Sequence, residues 1–315
     1  MRILLALGGN AMTSPDGKAR PEDQIAAAEK AMEAVAALVA EGIDVIVTHG
    51  NGPQVGNLLV KNEIAAGVVP LVPLDWCGAQ TQGTIGNILV NALDRALALR
   101  GIERPAAALV TRTRVDADDP AFTKPSKPIG RYLPEAEARR MIEHGETWED
   151  RGERGWRRVV ASPEPLEVLD APAVVALVDA GFVVVANGGG GIPTVRRDDG
   201  SLAGVEAVID KDLGAALLAR DIEVDMLVIA TDVAHAVLGF GTPEAEDVGE
   251  VTLTQMREHA AAGHFAGGSM GPKVDAVCRF VEHSGRPGVI TDLGTIVAAA
   301  NRTAGTIVVP DRKEA

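Results

Sequence analysis

Three lysines stand where an oxyanion could be held. Lys211 lies in Val208-Ile209-Asp210-Lys211-Asp212, at the expected start of a helix. An ammonium between two carboxylates, beside a helix N-terminus, suits an electropositive site with an organising acid. Asp210 also reads as an ordinary N-cap. Lys273 follows Gly271-Pro272 at another expected helix start, where backbone N–H groups can bind phosphate, although an exposed lysine fits the same pattern. Lys127 sits between prolines in Pro125-Ser126-Lys127-Pro128, and by itself reads as part of a stiff surface loop.

Three glycine-rich turns each follow an apolar run: Gly8-Gly9-Asn10, Gly50-Asn51-Gly52 and Asn187 followed by Gly188, Gly189, Gly190 and Gly191. Without a Cβ, backbone amides approach an oxyanion closely and form anion-binding concavities. One such turn is commonplace. Three at comparable positions point to a phosphate or carboxylate site at the carboxyl ends of parallel strands.

Other chemistries find no support. No G-x-G-x-x-G opens a helix after the first strand, which argues against a dinucleotide-binding dehydrogenase. The segment Gly268 to Val274 has a superficial likeness to a P-loop, but its spacing is wrong and Val274 stands where a Ser or Thr should meet Mg²⁺. Cys77 and Cys278 match no metal or redox spacing, and His259 and His264 are five apart, off a shared helical face. No protein-held metal site is expected.

The elements that must position these residues alternate. Strands are expected at Ile3–Leu7, Ile43–Val47, Ala106–Val110, Phe182–Ala186, Met226–Ala230, Gly288–Thr291 and Thr306–Val309. Helices are expected at Asp23–Ala40, Thr81–Leu99, Ala171–Ala180, Ile209–Ala219 and Val274–Glu282. Near-continuous apolar strands separated by helices predict a largely parallel sheet covered on both faces. From about Val115 to Ser162 the chain turns polar and proline-bearing, as an inserted lid, subdomain or long loop would.

A length of 315 residues allows one large α/β domain or two fused lobes. Aromatics are only 3%, so the core must be aliphatic and stacking on nucleobases is not the function. The net charge of −14 argues against nucleic acid and anionic membrane partners, and any phosphate site must gather positive charge locally. The first apolar run is too short to span a membrane and lacks a secretory core, so a cytoplasmic protein is expected.

Taken together, six segments in order resemble carbamate kinases. They are Ala6 to Ala11, Thr48 to Gly56, Pro125 to Gly130, Asn187 to Pro193, Glu206 to Asp212 and Gly268 to Lys273, and they span nearly the whole chain. The resemblance implies the amino acid kinase fold: a three-layer αβα sandwich on a mainly parallel open sheet, with a small protruding subdomain at about residues 115–162. It implies one continuous sheet divided into an N-terminal lobe, residues 1–225, for carbamate or carbamoyl phosphate, and a C-terminal lobe, residues 226–315, for the nucleotide. It implies that Lys211 and Lys273 flank the transferring phosphoryl group, with Asp212 or Asp210 orienting them. Lys127 would close over carbamate, and Gly8, Gly9, Asn10, Gly50, Asn51, Gly52, Gly188, Gly189 and Gly190 would cradle it. The nucleotide would lie near Thr231, Asp232, Val233, Phe240, Ser269, Met270, Gly271, Pro272 and Lys273.

The same resemblance implies reversible phosphoryl transfer between ATP and carbamate, with Mg²⁺ carried by the nucleotide, and a homodimer formed through the helix around Gln82–Leu99. The reaction would run toward ATP synthesis in arginine or purine catabolism. Many relatives carry a lysine just before the first Gly-Gly. Here Ala6-Leu7 stands instead, as in carbamate kinases, which argues against acetylglutamate, aspartate and glutamate 5-kinases. Ala161 replaces a proline common in relatives. Another acid or isopentenyl phosphate kinase, or a sensor that kept the fold, are the competing readings. The sensor would be expected to have lost a lysine or a glycine turn.

Overall fold

The computed structural model describes residues 1–8, 20–143, 145–265 and 269–311. The chain opens with β1 (Arg2–Leu7) and α1 (Pro21–Ala40). Pro21, Glu22 and Asp23 suit the first turn of α1 by fixed φ and by charge against the helix dipole. Next come β2 (Asp44–His49), α2 (Gly52–Ala65) and α3 (Leu74–Leu99). Then follow β3 (Ala106–Ala108), β4 (Arg112–Val115), β5 (Lys127–Leu133), α4 (Glu135–Glu143), β6 (Trp148–Asp150), β7 (Trp156–Val160) and β8 (Pro165–Val168). The chain continues through α5 (Ala171–Asp179), β9 (Val183–Val185), β10 (Ile192–Arg196), β11 (Leu202–Gly204), α6 (Lys211–Asp221) and β12 (Met226–Thr231). It ends with β13 (Val237–Leu238), β14 (Glu246–Asp247), β15 (Glu250–Thr252), α7 (Leu253–Ala261), α8 (Met270–Ser284), β16 (Gly288–Asp292), α9 (Ile296–Ala300) and β17 (Thr306–Val309).

Eight strands form the central sheet in the order β15-β17-β16-β12-β1-β2-β9-β3, parallel throughout except for the β16–β17 pair. Strand alternation sends successive side chains to opposite faces. Ile3, Leu5, Leu7, Val45 and Val47 meet α1, α3 and α9 on one side. Leu4, Ala6, Ile46 and Val184 meet α5, α6 and α8 on the other. The result is the expected three-layer αβα sandwich. The sheet runs unbroken across residue 225, because β12 pairs with β1 from Ile3↔Met226 to Leu7↔Ala230.

Four helices begin earlier or later than the sequence pattern suggests, α1 among them at Pro21 rather than Asp23. α3 starts at Leu74 rather than Thr81, because the Glu206 carboxylate accepts the Leu74 backbone N–H from a distant segment (2.8 Å). α8 starts at Met270 rather than Val274, and α6 at Lys211 rather than Ile209, since Asp210 caps it. The polar excursion is also narrower and more ordered than a loop. Residues Lys127–Val160 form a three-stranded sheet, β5-β7-β6, with α4 packed on it over Leu133, Ala138 and Trp148. Its flanks, β4 and β8, belong instead to a four-stranded sheet ordered β11-β10-β4-β8 that the sequence pattern does not announce.

Candidate active site

The parallel sheet places β12, β1, β2 and β9 side by side, so their carboxyl ends deliver Thr231, Gly8, the Gly50–Asn51–Gly52 turn and the Asn187–Gly191 turn to one edge. Gly8 donates to the Ala230 carbonyl (2.8 Å) and Gly50 to the Leu7 carbonyl (3.0 Å), which ties adjacent turns together. A cleft of about 510 Å³ opens there. Gly8, Gly50, Asn51, Gly52, Gly189, Thr231, Ser269 and Pro272 line it, with Lys127, Asp210, Lys211, Asp212 and Lys273.

The charges are arranged by two aspartates with separate tasks. Asp212 is buried, and one of its oxygens accepts Lys211 Nζ while the other accepts Lys273 Nζ (3.4 Å). Lys273 is 5% exposed, which rules out the free surface lysine its sequence context allowed, and it also donates to the Ser269 carbonyl (3.1 Å). Asp210 caps α6 through Oδ1, accepting the Asp212 N–H (2.9 Å), and its Oδ2 accepts Lys127 Nζ (2.7 Å). Burial alone would push the Asp210 carboxyl up. The Lys127 charge and hydrogen bond, the Asp212 N–H and the Lys211 charge outweigh that and hold it below the usual range. Three lysines facing two aspartates leave a local excess of positive charge in a chain whose net charge is −14. Such a site can bind and stabilise phosphate oxyanions.

The amino acid kinase family model matches residues 1–292. The chain belongs to the amino acid kinase family. It is 44% identical to carbamate kinase from Thermococcus kodakarensis over 312 residues, covering 98% of this chain and 99% of that protein. It is 42% identical to the carbamate kinase-like protein YahI of Escherichia coli, covering 98% of each. Carbamate kinase from Giardia lamblia bound to AMP-PNP superposes with a TM-score of 0.93 at 39% identity, covering 98% of each chain.

Within this amino acid kinase site, several expected residues stand back from the cleft. Gly188 and Gly190 are buried with Gly189 and, unlike it, do not line the cleft. Asp232, Val233, Phe240, Met270 and Gly271 do not line the cleft either, and Phe240 is 79% exposed. Gly9 and Asn10, together with Gly268 of the last motif, lie outside the described residues.

A buried polar scaffold beneath the turns went unread in the sequence. Asn187, in left-handed conformation (φ 56°), donates its backbone N–H to Thr111 Oγ1 (2.8 Å) and its Nδ2–H to the Gly214 carbonyl (2.9 Å). Thr113 donates to the Gly190 carbonyl (2.9 Å), and Gln82 Nε2 to the Gly188 carbonyl (2.9 Å). Asn51 Nδ2 donates to Thr81 Oγ1 (2.9 Å). The available signal was Asn187 at the end of a Val-rich strand and the threonines flanking Arg112, polar groups where an apolar side chain would be cheaper. His49 is fully buried against Gly188, and its Nδ1 bonds the Gly50 carbonyl (3.0 Å). Burial lowers its pKa to about 4 against that bond, with Lys211 adding to the depression, so the imidazole is neutral.

Proposed function

We propose that this chain catalyses reversible phosphoryl transfer between ATP and carbamate, giving ADP and carbamoyl phosphate. The observation that carries the reading is the Lys211–Asp212–Lys273 bridge, with Lys127 held over the same cleft by Asp210. The full-length likeness to carbamate kinases, one of them bound to AMP-PNP, supports the substrate pair. So does the absence of a lysine at Ala6-Leu7.

In this reading a carbamate oxygen attacks the γ-phosphorus in line. The P–O bond to the β-phosphate breaks and its electron pair leaves with ADP. Carbamate is already anionic, so no general base is required. Lys211 and Lys273 neutralise the equatorial oxygens, and Asp212 fixes both ammonium groups before substrate arrives. The Gly52 amide at the start of α2 holds an oxygen on the acceptor side; Gly8 and Gly50, whose own N–H groups are taken by the Ala230 and Leu7 carbonyls, shape the floor there without a Cβ, with Gly9 and Asn10 assigned there by the motif. Thr231, Ser269, Pro272 and Lys273 hold the nucleotide, with Met270, Gly271, Asp232, Val233 and Phe240 assigned near it by position.

Both site carboxylates are committed to lysines, and no group of His, Cys, Asp or Glu among the described residues is arranged to hold a metal. The donor set therefore fits Mg²⁺ delivered on the nucleotide's own phosphates, where it supplies charge neutralisation. The working direction is ATP formation from carbamoyl phosphate in arginine or purine catabolism, in the cytoplasm, where ADP is supplied. No helix among the described residues is long and apolar enough to cross a membrane. A homodimer formed through α3 is part of this proposal: Ile64, Val68, Leu71 and Trp76 are each exposed on the stretch that leads into α3.

The test is ATP formation from carbamoyl phosphate, ADP and Mg²⁺, with acetyl phosphate and acetylglutamyl phosphate as parallel donors. ATP from carbamoyl phosphate alone supports the proposal. A folded protein that binds ADP yet makes none discards carbamate and favours another acid kinase.

A further inference from the structure

Asn51 is the N-cap of α2. Asparagine is favoured there because its side-chain oxygen can accept a backbone N–H of the first turn. In this chain it makes no such bond. Pro53, in that first turn, has no N–H to offer. The side chain is committed elsewhere. Its Nδ2 donates to Thr81 Oγ1 in α3 (2.9 Å). Thr81 Oγ1 donates its own hydrogen to the Gly78 carbonyl (2.7 Å).

That relay has one consistent polarity. With its hydrogen given to Gly78, Thr81 Oγ1 can only accept, so it faces the Asn51 amino group and not the Asn51 oxygen. Turning the amide over would set two acceptors against each other and leave the amide N–H group elsewhere. Thr81 is 3% exposed, which keeps water from replacing either bond. Gly189 closes one flank of the amide: a Cβ there would lie 2.3 Å from Nδ2 and 2.6 Å from Oδ1. Asn51 still lines the lysine cleft, and its Oδ1 has no hydrogen-bond partner among the described residues. The other side-chain acceptors of the cleft, Asp210 and Asp212, are taken by lysines. Oδ1 is thus a fixed, open acceptor in a site otherwise built of donors, and it calls for an N–H on the ligand.

We infer that Asn51 Oδ1 accepts an N–H of the substrate's carbamoyl group, and that Thr81 is the positioning residue that keeps this atom turned to the substrate. The inference rests on the acceptor assignment proposed above and deepens it. It names the atom that tells a carbamoyl group from an acetyl group of the same shape, in which a methyl replaces the amino group. The methyl leaves Oδ1 desolvated and unpaired, and a site that loses a hydrogen bond in this way rejects the analogue. Helix α3 thereby sets substrate choice from behind the turn, through a hydroxyl that never touches the ligand.

Steady-state ATP formation by the full chain gives the KM for carbamoyl phosphate, and acetyl phosphate added as a competitor gives its inhibition constant on the same preparation. Wild type should favour carbamoyl phosphate by about tenfold or more, the scale of one buried acceptor left unpaired. Asn51→Leu, which has no acceptor, should abolish that preference. Asn51→Asp keeps an acceptor and adds a charge, so both compounds should weaken while the preference survives. Thr81→Val should weaken carbamoyl phosphate more than acetyl phosphate, and Thr81→Ser, which restores the hydroxyl, should recover the wild-type ratio. A merely structural role for Thr81 would shift both compounds alike. Equal affinity for the two in wild type, an undiminished preference in Asn51→Leu, or a parallel loss in Thr81→Val overturns the inference. Any of these beside wild-type turnover of carbamoyl phosphate leaves the carbamate reading standing. No ATP from carbamoyl phosphate in wild type removes that reading and the inference with it.

Discussion

Asp212 is the residue on which the proposed chemistry turns, because each of its oxygens fixes one of the two lysines that would meet the phosphoryl group. Removing one preorganised charge of this kind costs on the order of 10²-fold or more in kcat, so Lys211→Ala and Lys273→Ala should each fall that far in steady-state ATP formation. Near-wild-type turnover in either variant would remove the assignment. Lys127→Ala should instead raise the KM for carbamoyl phosphate and lower kcat while ADP binding, measured by calorimetry, stays close to wild type. His49 gives a second readout at this scale. Its pKa is lowered from 6.5 unfolded to about 4 folded, so the unfolded chain binds the extra proton first as pH falls. Stability contributed by the neutral imidazole is complete above 6.5 and is lost between 6.5 and about 4, by about 3 kcal/mol over the whole window. Denaturant midpoints at pH 7 and pH 5 should differ more in wild type than in His49→Asn. Asp210 acts below that window, since its depressed carboxyl contributes above the ordinary carboxylate range and loses its contribution only as pH falls through the lowered value.

At the scale of elements, α6 and the Asn187–Gly191 turn are packed backbone to backbone. A Cβ at Gly214 would lie 2.8 Å from Gly190 Cα and 3.1 Å from Asn187 Nδ2. Alanine normally favours a helix over glycine, yet here it must push α6 off the turn. Gly214→Ala should therefore destabilise the fold by about 1–3 kcal/mol, the usual cost of overpacking. It should also lower kcat, because Lys211 and Asp212 ride on the displaced first turn. Thermal melting and kinetics on the same preparation check both, and an unchanged melting temperature would contradict the contact. The subdomain is fastened differently, by ion pairs that cross to the body: Lys127–Asp210, Arg131–Glu63 and Arg158–Glu206. The last pair is 3.5 Å long and half exposed on the Glu206 side, so it contributes little. The Asp210 pair is the one that also caps α6, which couples the subdomain's position to the helix carrying Lys211.

At the scale of the molecule, a chain with net charge −14 presents one cleft where lysines outnumber acids, so anionic substrates are drawn to that edge of the sheet. The exposed Ile64, Val68, Leu71 and Trp76 are not part of that cleft's lining and precede the exposed Gln80, Thr84 and Asn87 of α3. Sedimentation of wild type should report a dimer, and the pair Val68→Glu with Trp76→Glu should report a folded monomer. A wild-type monomer would remove this part of the proposal.

The sequence alone determined the strand and helix alternation, the largely parallel buried sheet and the glycine turns after β2 and β9, because apolar runs, period-3.6 patterns and glycine are local signals. It also marked Lys211, Lys273 and Lys127, since six ordered segments resemble carbamate kinases. What it left open were partnerships between distant residues. Either aspartate could have organised the lysines; only the approach of α8 to the first turn of α6 gave Lys273 to Asp212 and left Asp210 to Lys127. The early start of α3 needed Glu206 from 132 residues away. The four-stranded sheet escaped notice because β4 and β11 are too short to carry a period of their own. A pocket lined by Val55 of α2 and by Arg131 and Arg157 of the subdomain exists only because β5 folds back onto α2 and carries β7 beside it, a contact that no window of sequence contains.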